Sequence, residues 1–180
     1  MQKLKTDELG RKTVDEFKAA SKLPLIVVLD NIRSLHNIGS FFRTADAFLV
    51  EELLLCGIAA TPPHREIHKT ALGATEAVAW KYFKYTTDAV RYLQEKNYRL
   101  YAVEQTQNSI PLQQMELSAD SGAAFFFGNE VSGVQQVIVD LCDTAVEIPQ
   151  EGTKHSFNVA VSGGIVLWEY YRRFTNKKSR

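Results

Sequence analysis

The stretch Glu147-Ile148-Pro149-Gln150-Glu151-Gly152-Thr153-Lys154-His155-Ser156-Phe157-Asn158-Val159-Ala160-Val161-Ser162-Gly163 joins an apolar strand end to a long amphipathic helix through a loop of small and polar residues. Pro149 cannot continue a ladder and ends the strand, and Gly152 lets the backbone bend. Ser156 and Asn158 bring a hydroxyl and an amide to the helix start, where several N–H groups lack partners. The loop is built to hold a polar ligand, although capping alone would also use these two residues.

Working outward, the apolar run Leu25 to Leu29 reads as a strand, Gly39 to Leu49 as a helix and Leu53 to Cys56 as a second strand. Further strands are expected at Trp80–Tyr85, Leu100–Val103, Ala123–Phe127 and Thr144–Ile148. Helices are expected at Asp88–Lys96, Val134–Leu141 and Asn158–Phe174, with an irregular or short helical region between residues 62 and 77. Lys3 to Ala20 reads as an amphipathic helix broken near Gly10. Fully apolar strands alternating with helices point to an α/β fold with a mostly parallel sheet and helices on both faces. At 180 residues and 45% hydrophobic content, one domain is expected, residues 23–180, preceded by a helical extension, residues 1–22.

No apolar run approaches the roughly 20 residues of a membrane span, and no signal peptide opens the chain, so a cytoplasmic protein is expected. Cys56 and Cys142 sit in apolar surroundings without metal-ligand spacing and read as buried free thiols. His64 and His68 have i,i+4 spacing but no third ligand cluster, so a polar turn is expected rather than a metal site. The net charge is zero, yet residues 1–22 carry +2 and residues 172–180 carry +5, leaving −7 between them. The two ends form a basic patch if they share a side of the fold; solubilising tails are the alternative.

Two other segments follow apolar strands. Asn37-Ile38-Gly39-Ser40-Phe41-Phe42-Arg43-Thr44-Ala45 lacks the G-x-G-x-x-G turn of a Rossmann dinucleotide site, which disfavours an NAD or FAD oxidoreductase. Asn37 is placed as an N-cap, and Arg43 would lie over the space left bare by Gly39, facing the positive end of the helix, where a phosphate is favoured. An Arg43–Asp46 surface pair is the bland alternative. Phe41, Ala45, Phe48 and Leu49 form the core face. Phe127-Gly128-Asn129-Glu130-Val131-Ser132-Gly133 carries a strand into a turn at the carboxyl edge of the sheet, where Gly128 allows a planar group close to the main chain.

Taken in order, the three segments resemble the motifs of the SpoU (TrmH-like) RNA ribose 2′-O-methyltransferases, N-x-G-x-x-R-T-A, G-N/S-E-x-x-G and I-P-x-x-G-x-x-x-S-x-N-V, over about residues 25 to 171. The resemblance implies a SPOUT-type domain with a C-terminal trefoil knot and a site formed in a homodimer. It also implies methyl transfer from S-adenosylmethionine to a ribose 2′-hydroxyl of structured RNA, rRNA or tRNA, with a D-loop guanosine as the finer reading. Expected catalytic residues are Arg43, Asn37, Ser156 and Asn158; Arg43, charged at any working pH, is expected to clamp a phosphate and stabilise the developing alkoxide. Expected donor contacts are Glu104, Gln105, Gly128, Asn129, Glu130, Ile148, Ser156 and Phe157, with Glu130 largely bracing the site. Arg33, His36, Arg43, His155, Lys177 and Lys178 are expected to meet RNA, since recognition falls to this domain and its short ends. The other class in play is a non-catalytic RNA-binding protein on the same fold, against which the joint presence of Asn37, Arg43, Ser156 and Asn158 argues.

Overall fold

Eight residues of almost unbroken apolar sequence, Leu23–Asp30, form the interior strand β1 of a computed structural model that describes residues 1–118 and 120–178. The chain enters through a 3-10 turn, Thr6–Leu9, and a short helix α1, Val14–Ala19. Gly10, at φ 57°, ends the turn, and Thr13 caps α1 in a reciprocal box with Glu16, so the break expected near Gly10 separates a 3-10 turn from α1. After β1 come α2 Leu35–Ala47, β2 Val50–Cys56, α3 Arg65–Ala71, α4 Ala74–Ala77 and β3 Ala79–Phe83. Then follow α5 Thr86–Glu95, β4 Tyr98–Val103, the two-residue β5 Ile110–Pro111, β6 Gly122–Phe127, α6 Gln136–Leu141, β7 Thr144–Glu147 and α7 Val159–Lys178.

The seven strands lie in the order β3-β2-β1-β6-β4-β7-β5, and every pairing is parallel. Val27 sits between Leu53 and Phe125, so the middle of the sheet is apolar on both faces, as a helix-covered parallel sheet requires. On one face Val27, Leu29, Leu53, Phe125 and Phe127 pack with Phe41, Phe42 and Ala45 of α2 and Val166, Leu167 and Tyr170 of α7. On the other, Ile26, Val28, Leu54 and Phe126 pack with Ala89, Val90 and Leu93 of α5 and Ile138 of α6. Phe41 and Ala45 are buried as expected, while Phe48 is half-buried against Trp168 and Tyr171.

Both thiols are free; burial, then the charge of Asp30, pushes Cys56 up to about 12, and burial, then Asp143, does the same for Cys142. Such thiols are inert at neutral pH. Among the described residues no helix is long and apolar enough to cross a membrane, and no group of three His, Cys, Asp or Glu side chains could hold a metal ion.

Candidate functional site

Strands β1 and β6 are neighbours, yet the chain leaves β1 for α2 on one face and β6 for α6 on the other. Parallel strands whose connections part in this way leave a crevice at their carboxyl ends. Beside it opens a cavity of about 970 Å³, walled by the segments that follow β4, β6 and β7. All eight expected donor contacts line it: Glu104 and Gln105 after β4, Gly128, Asn129 and Glu130 after β6, and Ile148, Ser156 and Phe157 after β7. Val103, Phe127 and Ile148 give it apolar walls, and Asn158 stands at its rim with Val159. This mix suits a planar heterocycle with polar substituents.

Hydrogen bonds tie the three motif segments together. Glu130 accepts from the backbone N–H groups of Arg33 and Ser34, both at 3.0 Å, and from Asn37 Nδ2 at 2.9 Å. Asn37 Oδ1 in turn accepts from Asn158 Nδ2 at 3.2 Å, and Asn158 Oδ1 caps α7 by accepting from Ala160 N and Val161 N. Burial is the largest single influence on Glu130 and opposes its ionisation, but the N–H of Arg33, the Asn37 amide and the other donors together hold its carboxyl below the usual range. Glu130 is therefore a brace.

The remaining polar residues of the wall are also committed to holding loops. Asn129 Nδ2 donates to Asn31 O, and its Oδ1 accepts from Val131 N and Ser132 N. Glu104 accepts from Gln105 N at 2.9 Å and from Val134 N at 3.1 Å. Gln105 Nε2 donates to His155 O at 2.9 Å, joining the β4 loop to the segment before α7. Ser156, Phe157 and the His155 side chain are exposed, so the loop offers its polar surface outward.

Several sequence expectations change. Asn37 is not the N-cap of α2: the helix begins at Leu35, and Ser34 caps it by accepting from Asn37 N. Gly39 consequently lies in the second turn, and its bare face is filled by α3, with an added Cβ falling 2.0 Å from Thr70 Oγ1 and 2.3 Å from Ile67 O. Arg43 does not stand over an empty helix start. It is exposed, about 12 Å along α2 from its beginning by helix rise, and absent from the cavity wall. The Arg43–Asp46 pair does not form either; the Arg43 side chain makes no hydrogen bond or ion pair with the described residues. Gly128 makes room for protein rather than ligand, since a Cβ there would lie 2.0 Å from Gly133 C and Val134 N. Arg33 and His36 are exposed beside the Glu130 brace, with His36 Nε2 3.6 Å from Glu66. Lys177 and Lys178 belong to the last turn of α7, and their side chains lie outside the described residues.

Sequence reasoning missed Asp30. Fully buried at the end of β1, its Oδ1 accepts from Thr86 Oγ1 at 2.6 Å, Gln135 Nε2 at 2.7 Å and Asn31 Nδ2 at 3.0 Å, and its Oδ2 from Gln135 N at 3.0 Å. It pins the starts of α5 and α6 beneath the site. The signal was available: one acidic residue closes an otherwise apolar strand.

The model of the SpoU rRNA methylase family matches residues 24–168. The chain is 32% identical over 167 residues to "23S rRNA (guanosine-2′-O-)-methyltransferase RlmB" of Neisseria meningitidis serogroup B, covering 92% of this chain and 65% of that protein. It thus spans just under two thirds of that relative. The A. aeolicus TrmH/SpoU tRNA modifying enzyme superposes with a TM-score of 0.78 at 25% identity, over 90% of this chain and 80% of that one. The AdoMet-bound rRNA methyltransferase from Sinorhizobium meliloti shares the fold, with a TM-score of 0.79 at 24% identity over 87% of this chain and 60% of that one.

Proposed function

Because the chain belongs to the SpoU rRNA methylase family, we propose that it is an RNA ribose 2′-O-methyltransferase, transferring a methyl group from S-adenosylmethionine to a 2′-hydroxyl of structured RNA. The observation that carries the reading is the Glu130–Asn37–Asn158 chain of hydrogen bonds, which joins segments 93 and 121 residues apart at one cleft. The donor suits that cleft: Val103, Phe127, Ile148 and Phe157 can enclose an adenine, and Gln105 and Ser156 can meet its sugar and amino-acid ends. When bound, S-adenosylmethionine supplies an electrophilic methyl on sulfonium, which leaves the protein the task of orienting a poor oxygen nucleophile.

Asn37 keeps one N–H and one lone pair beyond its two bonds, enough to orient a ribose hydroxyl, and Ser156 stands on the same wall as the donor. Glu104 and Glu130 already accept from N–H groups, and a phosphate oxygen of the RNA held by Arg43, or water, is compatible as acceptor of the departing proton. Arg43 lies outside the cavity wall of its own chain, which supports a site completed across a homodimer. The α2–α7 face, where Phe48 packs on Trp168 and Trp168 and Val161 are half exposed, supports the same assembly. The C-terminal trefoil knot belongs to this reading; it is supported by the Gln105–His155 tie and by the return of α7 from β7 to lie on Phe41 of α2. A guanosine of rRNA is the target supported by the relative named for 23S rRNA, and a tRNA D-loop guanosine is the finer alternative.

Calorimetry with S-adenosylmethionine and its demethylated product should give binding where NAD gives none. Mapping of 2′-O-methyl marks in RNA from cells lacking the gene should then reveal one lost guanosine mark. Donor binding with every mark intact would favour the non-catalytic RNA-binding alternative.

A further inference from the structure

A second pocket of about 540 Å³ opens on the far side of the sheet order from the cleft, between α3, α4 and the edge strand β3. Its chemistry comes from His64, Arg65, His68, Glu76 and Trp80. Trp80 is half-buried, packed against the core on one side and open to the pocket on another. Arg65, His68 and Glu76 are exposed and, among the described residues, make no side-chain hydrogen bond or ion pair. Next to them Lys69 and Glu66 neutralise each other at 2.7 Å, so the unpaired state of Arg65 is a property of its position and not of the whole helix. His64 Nδ1 accepts from Glu66 N at 3.2 Å; the neutral ring therefore carries its proton on Nε2, which is left as a donor.

We propose that this pocket binds a guanine nucleotide of the RNA substrate, outside the donor cleft. The indole offers a stacking face to the base. Arg65, His68 and His64 Nε2–H supply donors for a phosphate. Glu76 is an acceptor-only carboxylate, and guanine is the base that presents two adjacent donors, N1–H and the 2-amino group, to such a group. A chain of contacts also runs from α3 to the site. Thr70 Oγ1 of α3 donates to His36 O at 3.1 Å, His36 Nε2 lies 3.6 Å from Glu66, and the next residue, Asn37, holds Glu130 and Asn158 at the cleft. One RNA can thus occupy both. That RNA supplies the nucleotide rests on the methyltransferase reading; the pocket chemistry does not.

The test uses fluorescence. The chain has two tryptophans, so Trp168→Phe leaves Trp80 as a local reporter. Titration with GMP should quench it saturably, and adding Arg65→Ala with His68→Ala, both exposed positions that leave the core intact, should weaken GMP about tenfold or more. A pentaribonucleotide with a central guanine should bind more tightly than GMP, and UMP or inorganic phosphate more weakly. Linear, non-saturating quenching, an unchanged midpoint in the double variant, or equal affinity for GMP and UMP would overturn the pocket. Tighter binding of GMP than of the pentamer would overturn its assignment to RNA. Calorimetry with S-adenosylmethionine and with GMP on the wild-type chain separates the two readings: intact donor binding without a GMP response sinks the pocket alone, and the reverse sinks the donor site alone.

Discussion

The Arg43 side chain is exposed and unpaired, so no bond in the fold depends on it and a role in the reaction can be tested separately from stability. Arg43→Ala removes no side-chain hydrogen bond or ion pair at an exposed position, so it should leave thermal stability and donor affinity nearly unchanged while lowering single-turnover methyl transfer by about 100-fold or more, the scale of one lost transition-state stabiliser. A near wild-type rate would end the assignment. Glu130 is the opposite kind of residue, every bond of which is structural. Its folded carboxyl is depressed despite burial, because the Arg33 N–H, the Asn37 amide and neighbouring donors favour the anion. A depressed carboxyl contributes stability that is fully present above its unfolded value, about 4.3, and lost as pH falls through the lower folded value. The difference in thermal midpoint between wild type and Glu130→Gln should therefore be flat from pH 7 to pH 5 and shrink below about pH 4. A difference that grows on acidification would show that the anion is not what braces the loop.

At the scale of elements, two glycines set how closely the pieces approach. Gly39→Ala raises helix propensity by about 1 kcal/mol, but the new methyl would sit 2.3 Å from a main-chain oxygen of α3 that no rotamer can move. Overpacking of about 1–3 kcal/mol should win, so the thermal midpoint should fall by several degrees instead of rising. The same argument bars Gly128→Val as a probe of donor approach, because it would disrupt the 128–134 turn itself. These contacts also mark what the sequence could not reveal. The parallel sheet and its two helix layers were legible because Leu25–Leu29, Leu53–Cys56 and Ala123–Phe127 are apolar throughout, and the cleft residues because each follows a strand. The start of α2 was misjudged because Asn37 and Ser34 both suit a cap, and only the bond from Asn37 N to Ser34 decides between them. Strand order was beyond reach, since β6 inserts beside β1 through pairings about 100 residues apart, and β5 is too short to carry a pattern.

At the scale of the whole molecule, charge and cleft are at opposite ends. The last helix starts at the carboxyl edge, where Asn158 holds Asn37, and by its twelfth position Tyr170 OH donates to Pro24 O at the start of β1. Its 20 residues span about 30 Å at 1.5 Å each, so the basic end of the chain and α1, which precedes β1, both belong to the amino edge of the sheet. Among the described residues, α1 and the later turns of α7 share the side away from the cleft of the same chain, where a basic patch would form; the side chains of Lys177 and Lys178, and Arg180, lie outside the described residues. Removing residues 176–180 deletes Lys177, Lys178 and Arg180 and leaves the Tyr170 and Arg173 anchors in place. Each phosphate contact contributes roughly −0.7 to −0.9 to the slope of log K against log salt, so the truncated chain should bind its RNA more weakly and with a slope shallower by up to about 2 to 3. Because the deletion lies far from the reacting groups, the single-turnover rate at saturating RNA and the donor affinity should not change. An unchanged salt slope would make the tail a solubilising segment and move the electrostatic footprint to Arg33, His36 and Arg65, whereas a lower rate at saturation would mean that the tail reaches the site of a partner subunit.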